Sequence, residues 1–119
     1  MSSVAPYLIR AYCDWIEDSN LTPHILVDCE KTGVVVPEGF AKEGKIVLNI
    51  SSSATESRLI TNNSISFKAR FSGKPQKIIV PCEAVVTIYA QENGEGMFFD
   101  NKFEASGGEN NKPNLTILD

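Results

Sequence analysis

Few of the 119 residues carry groups that catalysis could use. His24 is the one histidine, so any imidazole base or Cys–His nucleophile pair has to employ it. It follows Thr22 and Pro23, a turn setting in which histidine reads as a surface or capping residue. Cys13, Cys29 and Cys82 are widely spaced and form no CxxC pair. A structural zinc site needs four thiolate or imidazole ligands, usually in close pairs, and this set does not supply them. The three read as reduced, partly buried thiols. Glu92 and Glu95 lie in the stretch ENGEG, and Asp100 follows it. Paired carboxylates can move protons, but on a hairpin tip they read as a solvated charged turn. No GxSxG, GxxxxGK[ST], HExxH or post-strand GxGxxG occurs. The expectation is a protein with no enzymatic activity, no cofactor and no metal.

Binding asks for less: a groove and something to fill it. In ISFKARFSG, Ile65, Phe67, Ala69 and Phe71 alternate with Ser66, Lys68 and Arg70, the period of a half-buried strand. Phe67 and Phe71 with the small Ala69 between them leave room for an incoming side chain. Lys68 and Arg70 on the other face are suited to an acidic group. The same alternation also fits a plain core face, and both readings are open, with the core favoured for Phe67.

These residues need a scaffold. PYLIRAYCDWIEDSN predicts a helix over about 5–19, with Pro6 in the first turn and Asn20 and Pro23 ending it. Leu8, Ala11, Tyr12, Trp15 and Ile16 recur at helical spacing as one apolar stripe. Short strand-like runs follow: HILVDC, GVVVP, KIVLNIS, ISFKARFSG, QKIIVP, VVTIYAQ and, after the ENGEG turn, MFFD. One helix and many short strands predict a small sheet closing into a partly open barrel with the helix packed on it. Hydrophobic content of 42% over this length is enough for one core. No segment approaches the roughly 20 apolar residues of a membrane span, and MSSVAPYLIR has no apolar stretch like a signal peptide. The expectation is a soluble, cytoplasmic protein. From Glu104 the composition turns polar, so 104–113 reads as a flexible linker and 114–119, NLTILD, as a short apolar end.

Several of these segments resemble one family. PYLIRAYCDWIEDSNLTPHILVD, GVVVPEGFAKEGKIVLNIS, FKARFSGKPQKIIVP and AVVTIYAQENGEGMFF are similar to the stringent starvation protein B (SspB) family, over roughly residues 6–99. The helix through LTPH and the IYAQENGEGMFF segment are the most telling, since generic β patterning produces neither. The resemblance implies a mainly β fold, with an N-terminal helix before an Sm-like, partly open β-barrel, occupying residues 1–103. It implies an adaptor that captures ssrA-tagged and some other protein substrates and delivers them to the ClpXP protease. The implied tag groove involves Phe67, Ala69, Arg70, Phe71, Ser72 and Met97. The implied homodimer pairs through Tyr7, Leu8, Ala11, Tyr12 and Trp15. An aromatic-rich stripe is more than one barrel face needs, which agrees with a two-fold contact, although the stripe could equally pack wholly on the barrel.

The resemblance also gives the apolar end a role: in the family a flexible tail ends in a short motif that docks on the N-terminal domain of ClpX. Leu115, Ile117 and Leu118 stand in that place. The stretch departs from the family's pattern, being shorter and less acidic, with no basic residue in its motif and Asp119 last. A different class of function also fits a small barrel, that of an RNA-binding module using Phe67, Phe71, Lys68, Arg70 and Lys74. The net charge of -4 and the scattered basic residues weigh against it.

Overall fold

The computed structural model describes residues 4–99. The helix α1 spans Ala5–Asp18, with Pro6 in its first turn, where a missing N–H costs nothing. It ends in a Schellman arrangement. Asn20 takes a left-handed φ of 63°, its N–H donates to Glu17 O (3.0 Å), and that of Leu21 donates to Ile16 O (3.0 Å).

Seven strands follow: β1 (Pro23–Asp28), β2 (Lys45–Asn49), β3 (Glu56–Ile60), β4 (Ser64–Phe71), β5 (Lys74–Pro81), β6 (Val85–Ala90) and β7 (Gly96–Phe98). A short 3-10 turn, Cys82–Ala84, joins β5 to β6. They form two antiparallel sheets, in the orders β2-β1-β6-β7 and β3-β4-β5. The sheets do not close on each other, so the expected mainly β, partly open fold with one helix is what the chain adopts.

One core lies between the sheets and under the helix. β1 contributes Ile25 and Val27, β2 Ile46 and Leu48, β4 Ile65 and Phe67, β5 Ile78 and Val80, and β6 Val85 and Ile88. Each fully buried isoleucine contributes about 1.5–3 kcal/mol. The helix adds Ala5, Ile9, Cys13 and Ile16, an i, i+4, i+8, i+11 line. That line is not the stripe read from the sequence. Of the stripe only Ile16 is buried; Leu8 and Tyr12 are half-buried, and Ala11 and Trp15 are exposed.

Two other expectations are corrected. GVVVP forms no strand. Val35 makes an isolated bridge to Ile79, with N–H···O distances of 2.8 and 3.0 Å. Gly33, at a φ of 95°, bends the chain before it, and Pro37 has no N–H to extend the ladder. A strand at ESRLI, β3, has no counterpart among the expected runs. Its sequence is polar because neither face is deeply buried. Arg58 holds it instead: Nη1 donates to Ile50 O (2.6 Å), and Nη2 pairs with Glu17 Oε1 (3.3 Å). Glu17 Oε2 accepts the Ser52 N–H at 2.6 Å, so helix, β2 exit and β3 meet at one ion pair.

Candidate functional site

β3 accompanies β4 only as far as the pair Glu56↔Lys68. Beyond it Ala69, Arg70 and Phe71 pair with β5 alone. β2, outermost in the other sheet, pairs with β1 alone. Between these uncovered stretches lies a groove of about 380 Å³. Val47, Leu48 and Asn49 form one wall, Phe67, Ala69 and Phe71 the other, with His24, Ala54 and Arg70 also at its surface.

Four residues assigned to the groove from the sequence are thus brought together: Phe67, Ala69, Arg70 and Phe71. The two readings of the strand's apolar face are both realised, at different depths. Phe67, 2% exposed, belongs to the core and closes the inner end of the groove. Ala69 and Phe71 are half-buried and accessible. Phe40, from the β1–β2 loop, braces Phe71 edge-on at 5.0 Å between ring centroids. Arg70 Nη1 donates to Gly73 O (3.0 Å), which holds the guanidinium beside the β4–β5 turn. Arg70 also borders a neighbouring polar hollow of about 460 Å³, where Lys68 and Glu56 lie.

Ser72 and Met97 stand elsewhere. Ser72 and Gly73 are the central pair of a two-residue hairpin turn, both at positive φ (54° and 80°), and Ser72 is exposed at its tip. Met97 lies on β7, opposite Ile88, at the far edge of the four-stranded sheet from β2. It packs on the core and is not among the groove's lining residues.

His24, Val47, Leu48, Asn49 and Ala54 line the groove without having been assigned to it. His24 is a strand residue, the partner of Asn49 on β2 and Tyr89 on β6, and not a turn residue. Its Nδ1 is the one buried side-chain nitrogen or oxygen without a hydrogen-bond partner among the described residues. No local signal marks Val47 and Asn49, because the sequence of a strand does not reveal that it is an edge.

Of the groups considered for catalysis, Glu92 is held in a structural contact. The Glu92 carboxylate accepts from Thr22 N–H (2.8 Å) and Thr22 Oγ1 (2.6 Å), which clasps the β6–β7 turn to the α1–β1 turn. Those two hydrogen bonds hold its pKa below the ordinary range. Burial pushes the Cys13 thiol up to about 11, against the opposing pull of Arg58, so it is a poor source of thiolate. Burial also raises Cys29 and Cys82. Among the described residues no cluster of three His, Cys, Asp or Glu could hold a metal ion, and no helix is long and apolar enough to cross a membrane. Asp100 lies outside the described residues.

A second surface runs along α1. Tyr7 and Trp15 are 49% and 48% exposed, far more than large aromatics usually are within a packed domain. Ala11, Tyr12 and Trp15 border an open hollow of about 680 Å³ whose other side is Gly94, Glu95 and Gly96 of the β6–β7 turn. Tyr12 and Trp15 meet edge to face at 5.7 Å. Arg10 stacks over Tyr7 at 4.9 Å and donates through Nη2 to Asn62 Oδ1 (2.9 Å), which steadies this face on the β3–β4 turn. Among the described residues nothing buries Tyr7, Ala11 or Trp15, so this part of the stripe does not pack on the sheets. Leu115, Ile117 and Leu118, with the linker before them, lie outside the described residues.

A helix on two unclosed antiparallel sheets, with a groove at their uncovered edges, defines a small, mainly β domain. The family model for Stringent starvation protein B matches residues 3–116. The chain is also 47% identical over 95 residues to the Stringent starvation protein B homolog of Haemophilus influenzae, a match covering 80% of this chain and 63% of that protein. This chain belongs to the stringent starvation protein B family. It spans less than two thirds of that relative's length.

Proposed function

We propose that this chain is a non-enzymatic adaptor of the cytoplasm that binds ssrA-tagged, and some other, protein substrates and delivers them to the ClpXP protease. The observation that carries the reading is the groove between β2 and the end of β4, in a chain of this family. Phe71 and Ala69 offer apolar contact, and Arg70 offers a charge-assisted hydrogen bond to an acidic residue. In this reading two chains pair through Tyr7, Leu8, Ala11, Tyr12 and Trp15, burying the aromatic face that α1 turns outward. Leu115, Ile117 and Leu118 anchor on the N-terminal domain of ClpX. Tag in the groove and tail on the unfoldase make engagement effectively intramolecular, which raises avidity without any chemistry by this chain.

The test is fluorescence anisotropy of a labelled ssrA-tag peptide, with the full chain and with a version ending at Gly108. Equal saturable binding by both is expected. No binding by either contradicts the adaptor reading, and binding by the full chain alone moves recognition from the groove to the tail. Raising the salt should weaken binding only mildly, whereas an RNA ligand would be lost steeply.

A further inference from the structure

The pairing of β2 with β1 fixes which of its backbone groups are committed. Ile50 N–H donates to Pro23 O at 3.0 Å, and Cys29 N–H to Gly44 O at 2.7 Å. With Ile25↔Leu48 and Val27↔Ile46 in register between them, Ile46, Leu48 and Ile50 turn their N–H and C=O groups toward β1. Lys45, Val47 and Asn49 must turn theirs the other way. Lys45 is answered there: its N–H donates to Lys42 O (3.0 Å), and Lys42 N–H donates to Lys45 O (2.7 Å). No described residue answers Val47 or Asn49. Edge strands are usually blunted by short length, lysine, proline, a bulge or an inward charge. Lys45 begins this five-residue strand, but Val47, Leu48 and Asn49 carry no charge, proline or bulge, and the open backbone there borders the groove. No carboxylate lines the groove, while Arg70 stands at its rim.

We propose that the groove takes its ligand as an added β-strand on β2. The occupant is an extended peptide segment with apolar and acidic side chains. Its main chain pairs with the outward N–H and C=O groups of Val47 and Asn49, its apolar side chains meet Phe67, Ala69 and Phe71, and an acidic one meets Arg70. The proposal rests on the peptide-binding reading above and adds the mode of recognition: affinity from main-chain hydrogen bonds, selectivity from every second side chain.

The test is a backbone N-methylation scan of the labelled tag peptide against the full chain, read by anisotropy. Removing an N–H that pairs with β2 should cost about tenfold or more in affinity, and methylation of the residues on either side should cost little. Loss with a period of two is expected. A parent peptide that binds while no methylated position weakens it, or while losses show no alternation, overturns strand addition and leaves the adaptor reading intact. A parent that does not bind overturns both. Amide hydrogen exchange gives a second readout. Val47 and Asn49 should exchange freely in the chain alone and become protected with peptide. Protection already present without peptide means that a second copy or the chain's own residues 100–119 cover the edge, and it overturns the proposal.

Discussion

Phe67 and Phe71 sit two positions apart on one strand face, yet they answer the same substitution differently. Phe67 is 2% exposed within the core, so Phe67→Asp strands a charge without a partner and should prevent folding at ordinary temperature. Phe71 is half-buried, with Phe40 as its aromatic neighbour. Phe71→Asp should fold, melt a few degrees lower by circular dichroism, and lose peptide affinity by more than about tenfold. An unfolded Phe71→Asp would mean that the residue is core and not groove. Met97→Ala serves as the counterpart. On β7, at the far edge from β2, Met97 is half-buried against the core, so truncation should cost less than the roughly 2–5 kcal/mol of a fully buried methionine and leave peptide affinity unchanged. The alternation in ISFKARF made this face legible from the residues alone. Its division into core and groove was not, because depth along the strand depends on where β3 stops, at the pair Glu56↔Lys68. His24 was misplaced for a similar reason. Pro23 reads as a turn residue until Ile50 N–H is found donating to its carbonyl within the ladder.

At the scale of elements, the helix and the β-branched or alternating strands were legible, since their periods follow from which side is buried. β3 was not, because its ESRLI sequence carries no apolar period and depends on Arg58 for its place. That dependence has a pH signature. Burial alone would raise the Glu17 carboxyl, but the Ser52 N–H and the Arg58 guanidinium outweigh it and hold the group below its ordinary value. Folded Glu17 therefore binds its proton less tightly than unfolded Glu17. The stabilisation is fully present above the unfolded carboxyl pKa of about 4.3, and it is lost as pH falls through the lower folded value. Glu17→Gln should melt a few degrees below the unmodified chain near neutral pH, and the gap should close as the pH falls below the ordinary carboxyl range. A constant gap across that range would mean that the carboxylate's charge is not what holds β3. Gly96 shows a second local requirement. A Cβ there would meet the backbone carbonyl of Ile88, so Gly96→Ala should loosen β7 from β6 and lower the melting temperature.

At the scale of the whole molecule, two surfaces of the described residues carry the account: the outward face of α1 and the groove at the sheet edges. They lie on different elements, so they should fail independently. Trp15→Glu should give monomers by sedimentation at micromolar concentration, with a melting profile and peptide affinity per chain close to those of the unmodified protein. A variant that stays dimeric would rule out the helix face as the contact. The central claim, that the groove between β2 and β4 is where substrate peptide sits, is tested most directly by an NMR titration of isotope-labelled chain with the ssrA-tag peptide. The expected result is a set of saturable amide shifts concentrated at Val47 to Asn49 and Ala69 to Phe71, with α1 and β7 unmoved. Shifts concentrated on Tyr12, Trp15 and Gly96, with the groove silent, would contradict it.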